Sequence, residues 1–207
     1  MAFPMAVEEP SELEKRFGRL HAEERYQELA TEALEAWGGE LLGFLVALHH
    51  DEELGAESFS VFAEAFWRGL PNFENRSSLR TWAYVVARNA AHRAHRDRKT
   101  SWVALSSPEV ARIEAKVRTE TLPFLRGGLR EGLAQLRADL NEDDRALLVL
   151  RVSRGQSWTD IARILGPSDE PEASEALTRR AAALRKRFQR LKEELQKKAR
   201  ARASDER

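Results

Sequence analysis

The densest chemistry in the chain lies between residues 73 and 99, in FENRSSLRTWAYVVARNAAHRAHRDRK. Arg80, Arg88, Arg93 and Arg96 recur along it, interleaved with Trp82, Tyr84, Asn89, His92 and His95. Guanidinium groups bring permanent charge and forked donors that suit phosphate. Aromatic rings beside them are what unpaired bases stack on. The loop in front offers Asn75, Arg76 and Ser77, short polar groups able to hold a base taken out of its stack. On the residues alone a second reading stays open: a core helix whose arginines reach past apolar neighbours to solvent, with Trp82 sharing an inner face with Val86. A second basic run, Arg179, Arg180, Arg185, Lys186, Arg187 and Arg190, lies over Leu177, Leu184, Phe188, Leu191 and Leu195.

Other chemistries find no foothold. The chain has no Cys, which excludes disulfides, thiolate nucleophiles and thiolate metal sites. His92 and His95 stand three apart, and His49, His50, Asp51 and Glu52 cluster, but neither group has a convincing third ligand. No phosphate-binding Gly-rich loop, G-x-S-x-G turn or H-E-x-x-H appears. The expectation is a protein with no catalytic residues, no metal and no cofactor.

The elements that position these groups are helical. Apolar residues recur at three and four spacings nearly throughout, and no stretch alternates with the period of a strand, so the fold class expected is all-α. Tyr26 to Leu48 reads as one or two helices, broken near Gly38 and Gly39. Leu54 to Leu70 reads as another, with Phe59, Phe62 and Phe66 inward, Glu57, Ser60 and Glu64 outward, and Pro71 and Asn72 ending it. Ser78 is the expected cap of the arginine-rich helix, whose inner face is Leu79, Trp82, Val86 and Ala90. KTSWVALSSPEV loses helical periodicity, a moderately helical stretch to Glu120 follows and LPFLRGG punctuates again, which sets a linker at 100–124. Leu129, Leu133, Leu136 and Leu140 then make a helical face, Asn141 with Asp144 starts a helix, and Ser157 with Asp160 starts a short one that Gly166 stops. A short helix, a turn and a basic amphipathic helix make a helix-turn-helix, whose second helix enters the major groove.

Charge is segregated although the whole chain is neutral, with 34 basic and 34 acidic residues. Residues 1–75 carry a net −11, 76–99 a net +6, 100–144 a net −2 and 145–207 a net +7. Two basic blocks preceded by acidic ones suggest two polyanion-facing surfaces, with the acidic parts turned elsewhere or meeting a basic partner. No apolar run approaches the roughly 18 residues of a membrane span, and the first ten residues lack the basic and apolar regions of a signal peptide, so a cytoplasmic location is expected.

FAEAFWRGLPNFENRSSLRTWAYVVARNAAHRAHRDRK resembles domain two of sigma-70-type factors of the extracytoplasmic-function group, and LNEDDRALLVLRVSRGQSWTDIARILG with LRKRFQRLKEEL resembles their domain four. The resemblance covers about residues 25–198. It implies two small helical domains on a flexible linker: an N-terminal extension at 1–24, the core-polymerase and minus-ten module at 25–99, a linker at 100–124, the minus-thirty-five helix-turn-helix at 125–198 and a tail at 199–207. It implies core RNA polymerase and promoter DNA as partners, with an anti-sigma factor as a further candidate.

By that resemblance Glu57, Ser60, Glu64 and Trp67 face the polymerase, where the family commonly has Asp and Gln at the first two positions. Asn75, Arg76 and Ser77 capture a flipped base; Arg80, Trp82, Tyr84, Arg88, Asn89, Arg93 and Arg96 contact the melted strand; Arg179, Arg180 and Arg185 approach the upstream duplex. The path from Gly166 to Arg180 is about five residues longer than is usual, and the acidic PSDEPEASE inside it is expected to turn away from the groove. Two other classes stand beside this reading: a stand-alone helix-turn-helix regulator and a helical protein-interaction adaptor. The FENRSSLRTWAYVVARN segment discriminates, since neither needs an aromatic and arginine helix next to a polar capture loop.

Overall fold

A computed structural model describes residues 11–96, 108–128, 140–167 and 174–205. Among them are eight α-helices and no strand: α1 Glu12–Ala22, α2 Tyr26–His49, α3 Glu52–Gly69, α4 Leu79–Arg96, α5 Pro108–Gly128, α6 Glu142–Leu148, α7 Trp158–Ile164 and α8 Ser174–Asp205.

Local chemistry sets most of the helix ends. Ser11 and Glu14 form a reciprocal capping box at the start of α1. Asp51 caps α3 through the Leu54 N–H at 3.0 Å, and Ser78 Oγ accepts from the Thr81 N–H at 3.1 Å at the start of α4. Asn141 and Ser157 cap α6 and α7 through the N–H groups of Asp144 and Asp160, at 2.9 and 3.1 Å. Leu70–Asn72 tightens into a single 3₁₀ turn after α3, with Pro71 in a position that needs no N–H donor. After α6 the backbone widens to a π turn over Val149–Ser153 before Gly155, whose φ of 63° is adopted most easily by a residue without a Cβ.

The N-terminal core is built where α2, α3, α4 and α5 meet. Leu34, Leu41, Phe44 and Leu45 of α2 are sealed against Phe59, Phe62 and Phe66 of α3, and Phe44 meets Tyr84 edge-on at 5.2 Å. α4 contributes Leu79, Ala83, Tyr84, Ala87, Ala90, Ala91 and Ala94 as its buried apolar residues, a face made mostly of alanine, with Thr81 buried beside them. Trp82 and Val86, expected inward, are only partly buried and lie at the edge of the core against Phe66 and Phe73. Small side chains let α4 approach its neighbours closely, and the large ring then fits the margin rather than the centre.

At three places the structure adds to the sequence reading, which leaves one or two helices open over Tyr26 to Leu48 and moderate helical character up to Glu120. α2 runs unbroken through Gly38 and Gly39, because the missing side chains are a seat for α5: a Cβ at Gly38 would fall 2.8 Å from Val117 Cγ2, and one at Gly39 would fall 3.2 Å from Thr121 Oγ1. α1, in the part expected to be an extension, inserts Phe17 and Leu20 into the core, with Phe17 edge-on to Trp37 at 5.0 Å. From Pro108 on, the expected linker is a helix, α5, that buries Val110, Ile113 and Val117 against α2 and α3. Pro123 does not end it. The Leu129, Leu133 and Leu136 face lies outside the described residues.

The C-terminal helices form a cluster whose buried residues are continuous with the N-terminal core. Trp158 of α7 meets Phe188 of α8 at 5.5 Å, Arg151 lies over the Trp158 ring at 4.8 Å, and Leu147, Leu150, Ile161 and Ile164 are sealed between them. This cluster rests on the first one. Arg145 Nε donates to the Leu48 carbonyl at 2.8 Å and Arg154 Nη2 to the Glu40 carbonyl at 3.0 Å, while α7 packs on α4.

Candidate nucleic-acid interface

The loop between the 3₁₀ turn and α4 carries Asn75, Arg76 and Ser77 at or near the surface. Asn75 sits at φ 55°, a left-handed conformation that Asn tolerates better than most residues and that turns the loop over the start of α4. Arg76 pairs with its neighbour Glu74. Beneath lies a cleft of about 370 Å³ whose walls include Phe73, Arg76, Ser77, Trp82, Val86 and Asn89, with Arg163 and Pro167 of the C-terminal cluster closing one side. An aromatic wall, a carboxamide and a guanidinium around one opening can stack a planar ring and hydrogen-bond its edge. The sequence-predicted Asn75 faces a second, smaller cleft, shared with Phe17, His21 and Ser78.

The arginines of α4 divide. Arg80 forks onto Glu40 of α2, with Nε and Nη2 both 2.7 Å from the carboxylate, and this hydrogen bond holds its pKa above the ordinary guanidinium value. Arg88 is largely covered, its Nη2 3.1 Å from Asp143 of α6 and its Nη1 3.5 Å from the Gly166 carbonyl. Arg93 is exposed beside the groove between α3 and α4, where Glu64, Arg68, Val86 and Asn89 also lie. Arg96 ends α4, and its side chain lies outside the described residues. Tyr84 is fully buried, and burial, followed by the nearby Glu40 carboxylate, raises its pKa well above the ordinary phenol value. It belongs to the core and offers no ring to a strand.

On α3, Glu57, Ser60, Glu64 and Trp67 share one partly exposed side. Glu64 pairs with Arg68 at 2.8 Å, and Ser60 Oγ donates to Glu114 of α5 at 2.7 Å, a contact that Arg118 joins at 3.2 Å from the same carboxylate oxygen. α5 therefore covers part of the expected polymerase face. On α8, Arg179 and Arg185 are exposed, Arg179 within 3.5 Å of Glu175, and Arg180 lies against Gly166, where a Cβ would fall 2.5 Å from its Nη1. α8 starts at Ser174, so the last residues of the acidic stretch are its first turn; residues 168–173 lie outside the described ones. Of the histidines, His49 bonds Ser58 at 2.9 Å and His21 bonds the Leu70 carbonyl at 2.9 Å, both structural contacts within the N-terminal cluster.

Three participants escaped sequence reasoning, Glu40, Asp143 and Arg163, and Gly166 is read only as a helix stop and turn. Each acts on a partner at least 40 residues away, and no periodicity carries such a pairing.

Residues 34–101, which contain most of α2, all of α3 and α4 and the capture loop, match the family description Sigma-70 region 2. The chain is also 30% identical over 135 residues to the RNA polymerase sigma-H factor of Pseudomonas aeruginosa, a match covering 60% of this chain and 68% of that protein. The chain belongs to the sigma-70 family of sigma factors. It is a sigma factor that directs promoter recognition and transcription initiation. No solved structure matches it significantly. The family match ends just beyond α4, so the region 2 assignment rests on the sequence of the N-terminal cluster, and the cleft falls within it except for the side that Arg163 and Pro167 close. No helix among the described residues is long and apolar enough to cross a membrane.

Proposed function

We propose that this sigma factor works as a two-surface promoter reader of the extracytoplasmic-function type, acting in the cytoplasm and without catalytic residues of its own. The 73–78 loop and the cleft beneath it take a base flipped from the minus-ten element, with Arg76 and Ser77 at the rim and Trp82 and Asn89 on the wall. Arg88, Arg93 and Arg96 follow the adjoining phosphates. Glu57, Ser60, Glu64 and Trp67 dock core RNA polymerase, and α7 with α8 forms the helix-turn-helix through which Arg179, Arg180 and Arg185 reach the minus-thirty-five duplex. The observation that carries the reading is the cleft itself: an aromatic wall beside Asn89, with a polar loop and an arginine at its mouth, in the part of the chain that matches region 2.

Run-off transcription with purified core polymerase tests it. Asn75→Ala and Arg76→Ala should each lower open-complex formation about tenfold, the loss of roughly 1.4 kcal/mol of contact, while co-purification with core stays unchanged. Loss of core binding in a folded variant would place the loop at the protein interface and refute the division of surfaces. Tight binding to duplex by the chain alone, with no effect on core enzyme, would favour a stand-alone regulator.

A further inference from the structure

Ser60 is one of the four side chains assigned to core polymerase, and its hydroxyl is already engaged within the chain. It donates to Glu114 Oε1 of α5 at 2.7 Å. Arg118, one turn further along α5, donates from Nη1 to the same carboxylate oxygen at 3.2 Å and to Ser60 Oγ at 3.4 Å. Glu114 is only 7% exposed. A carboxylate removed from water needs such donors, so the three residues make a closed joint between α3 and α5.

The rest of α5 is seated just as firmly. Val110, Ile113 and Val117 are buried against α2 and α3. Gly38 and Gly39 leave room for it, since a Cβ at the first would fall 2.8 Å from Val117 Cγ2 and one at the second 3.2 Å from Thr121 Oγ1. Lifting α5 away would return three β-branched side chains to water and open the joint around Glu114. Completing a core is the ordinary reason for a helix to pack on a bundle, and it accounts for the valines and the isoleucine. It does not account for the place of the joint, in the middle of the row Glu57, Ser60 and Glu64. A protein that reads this row meets α5 at the same time. Beside the joint α5 leaves Ala111 partly exposed and Arg112 and Ala115 exposed, and 40% of the Arg118 side chain is open to solvent.

We propose that α5 is the second half of the polymerase-docking surface: core binds α3 and α5 together, with a basic segment of core along Glu57 and Glu64 and an adjoining acidic one against Arg112 and Arg118. The inference rests on the proposed docking role of α3. Ala111 and Ala115 leave space between the two charged strips for the partner's side chains, and the reversal of sign from α3 to α5 fixes the register in which core can sit. α5 stays in place when core binds.

The chain has no Cys, so Gly39→Cys/Thr121→Cys introduces a single thiol pair, at positions close enough to join on oxidation. Oxidised and reduced forms should bind core polymerase with affinities equal to within about twofold and should both direct promoter-specific transcripts. Loss of core binding on oxidation, restored by dithiothreitol, would mean that α5 has to leave and would overturn the proposal. Arg112→Glu should weaken core binding about five- to tenfold relative to Lys15→Glu, an equal change of charge on α1, with thermal melting unchanged. Equal affinities for these two variants would also overturn it. Photo-cross-linking decides even if the thiol pair disturbs folding: benzoylphenylalanine in place of Ala115, and in a separate chain in place of Glu57, should each give an adduct with core. An adduct from the Glu57 position alone would refute the part given to α5 and leave α3 as the docking helix. No adduct from either, in a holoenzyme that still makes transcripts, would refute the docking role of α3 itself.

Discussion

Tyr84 shows how one side chain decides between packing and recognition. It lies in the arginine-rich helix, beside residues that face the cleft, yet its ring is enclosed against Phe44 and its hydroxyl is buried with no hydrogen-bond partner among the described residues. Burial disfavours the phenolate, so the folded pKa stands above the unfolded value near 10.0. The sign follows: above pH 10 the unfolded chain releases this proton before the native one does, and stability falls as pH rises from there. Tyr84→Phe should remove that part of the alkaline loss. At neutral pH it should be neutral or stabilise by up to about 1 kcal/mol, because a desolvated hydroxyl is replaced by nothing. Urea denaturation at pH 7 and above pH 10 checks both statements, and promoter melting by the variant should match wild type. A melting defect with unchanged stability would return the ring to the DNA.

At the scale of elements, α5 is the clearest case of tertiary contact overriding local signal. Pro108, Pro123 and the Ser pair before them read as punctuation, but Pro108 opens the helix, where its missing N–H costs nothing, and Val110, Ile113 and Val117 find a groove floored by Gly38 and Gly39. Those glycines looked like a break in α2; they are the seat of a helix that begins some 70 residues later. Gly38→Ala should therefore loosen α5 without touching it. Trypsin should spare Arg112, Lys116 and Arg118 in the wild-type chain and cut there several-fold faster in the variant, as read by mass spectrometry of timed digests. Equal protection would mean that Val117 turns aside at little cost. Caps at Ser78, Asn141 and Ser157 were legible because a cap acts within three residues. The alanine-rich face of α4 was not, since alanine gives little hydrophobic contrast, and neither was the seat of α5, which needs two distant segments at once. The base-capture loop was legible by composition alone, whereas the closing side of its cleft, Arg163 and Pro167, comes from another part of the chain.

For the whole molecule, the alternating charge blocks have a structural meaning: the two basic surfaces belong to different helical clusters, and each reads a different stretch of promoter in the proposed function. Residues without shared partners contribute additively to a common equilibrium, while neighbours couple. Arg76, at the mouth of the capture cleft, and Arg179, exposed on α8 beside Glu175, share no contact in the structure. In complex with polymerase on a promoter, Arg76→Ala and Arg179→Ala should each weaken open-complex formation by about 1 to 3 kcal/mol, and the double variant should equal their sum to within about 0.5 kcal/mol. Scrambling the upstream element should abolish the Arg179 effect and leave the Arg76 effect in place. The measurement is open-complex occupancy for the four proteins on intact and upstream-scrambled promoters. Coupling beyond that margin would mean that the two surfaces touch one continuous site on the DNA, with the C-terminal cluster still seated on α2 and α4 when the promoter is bound.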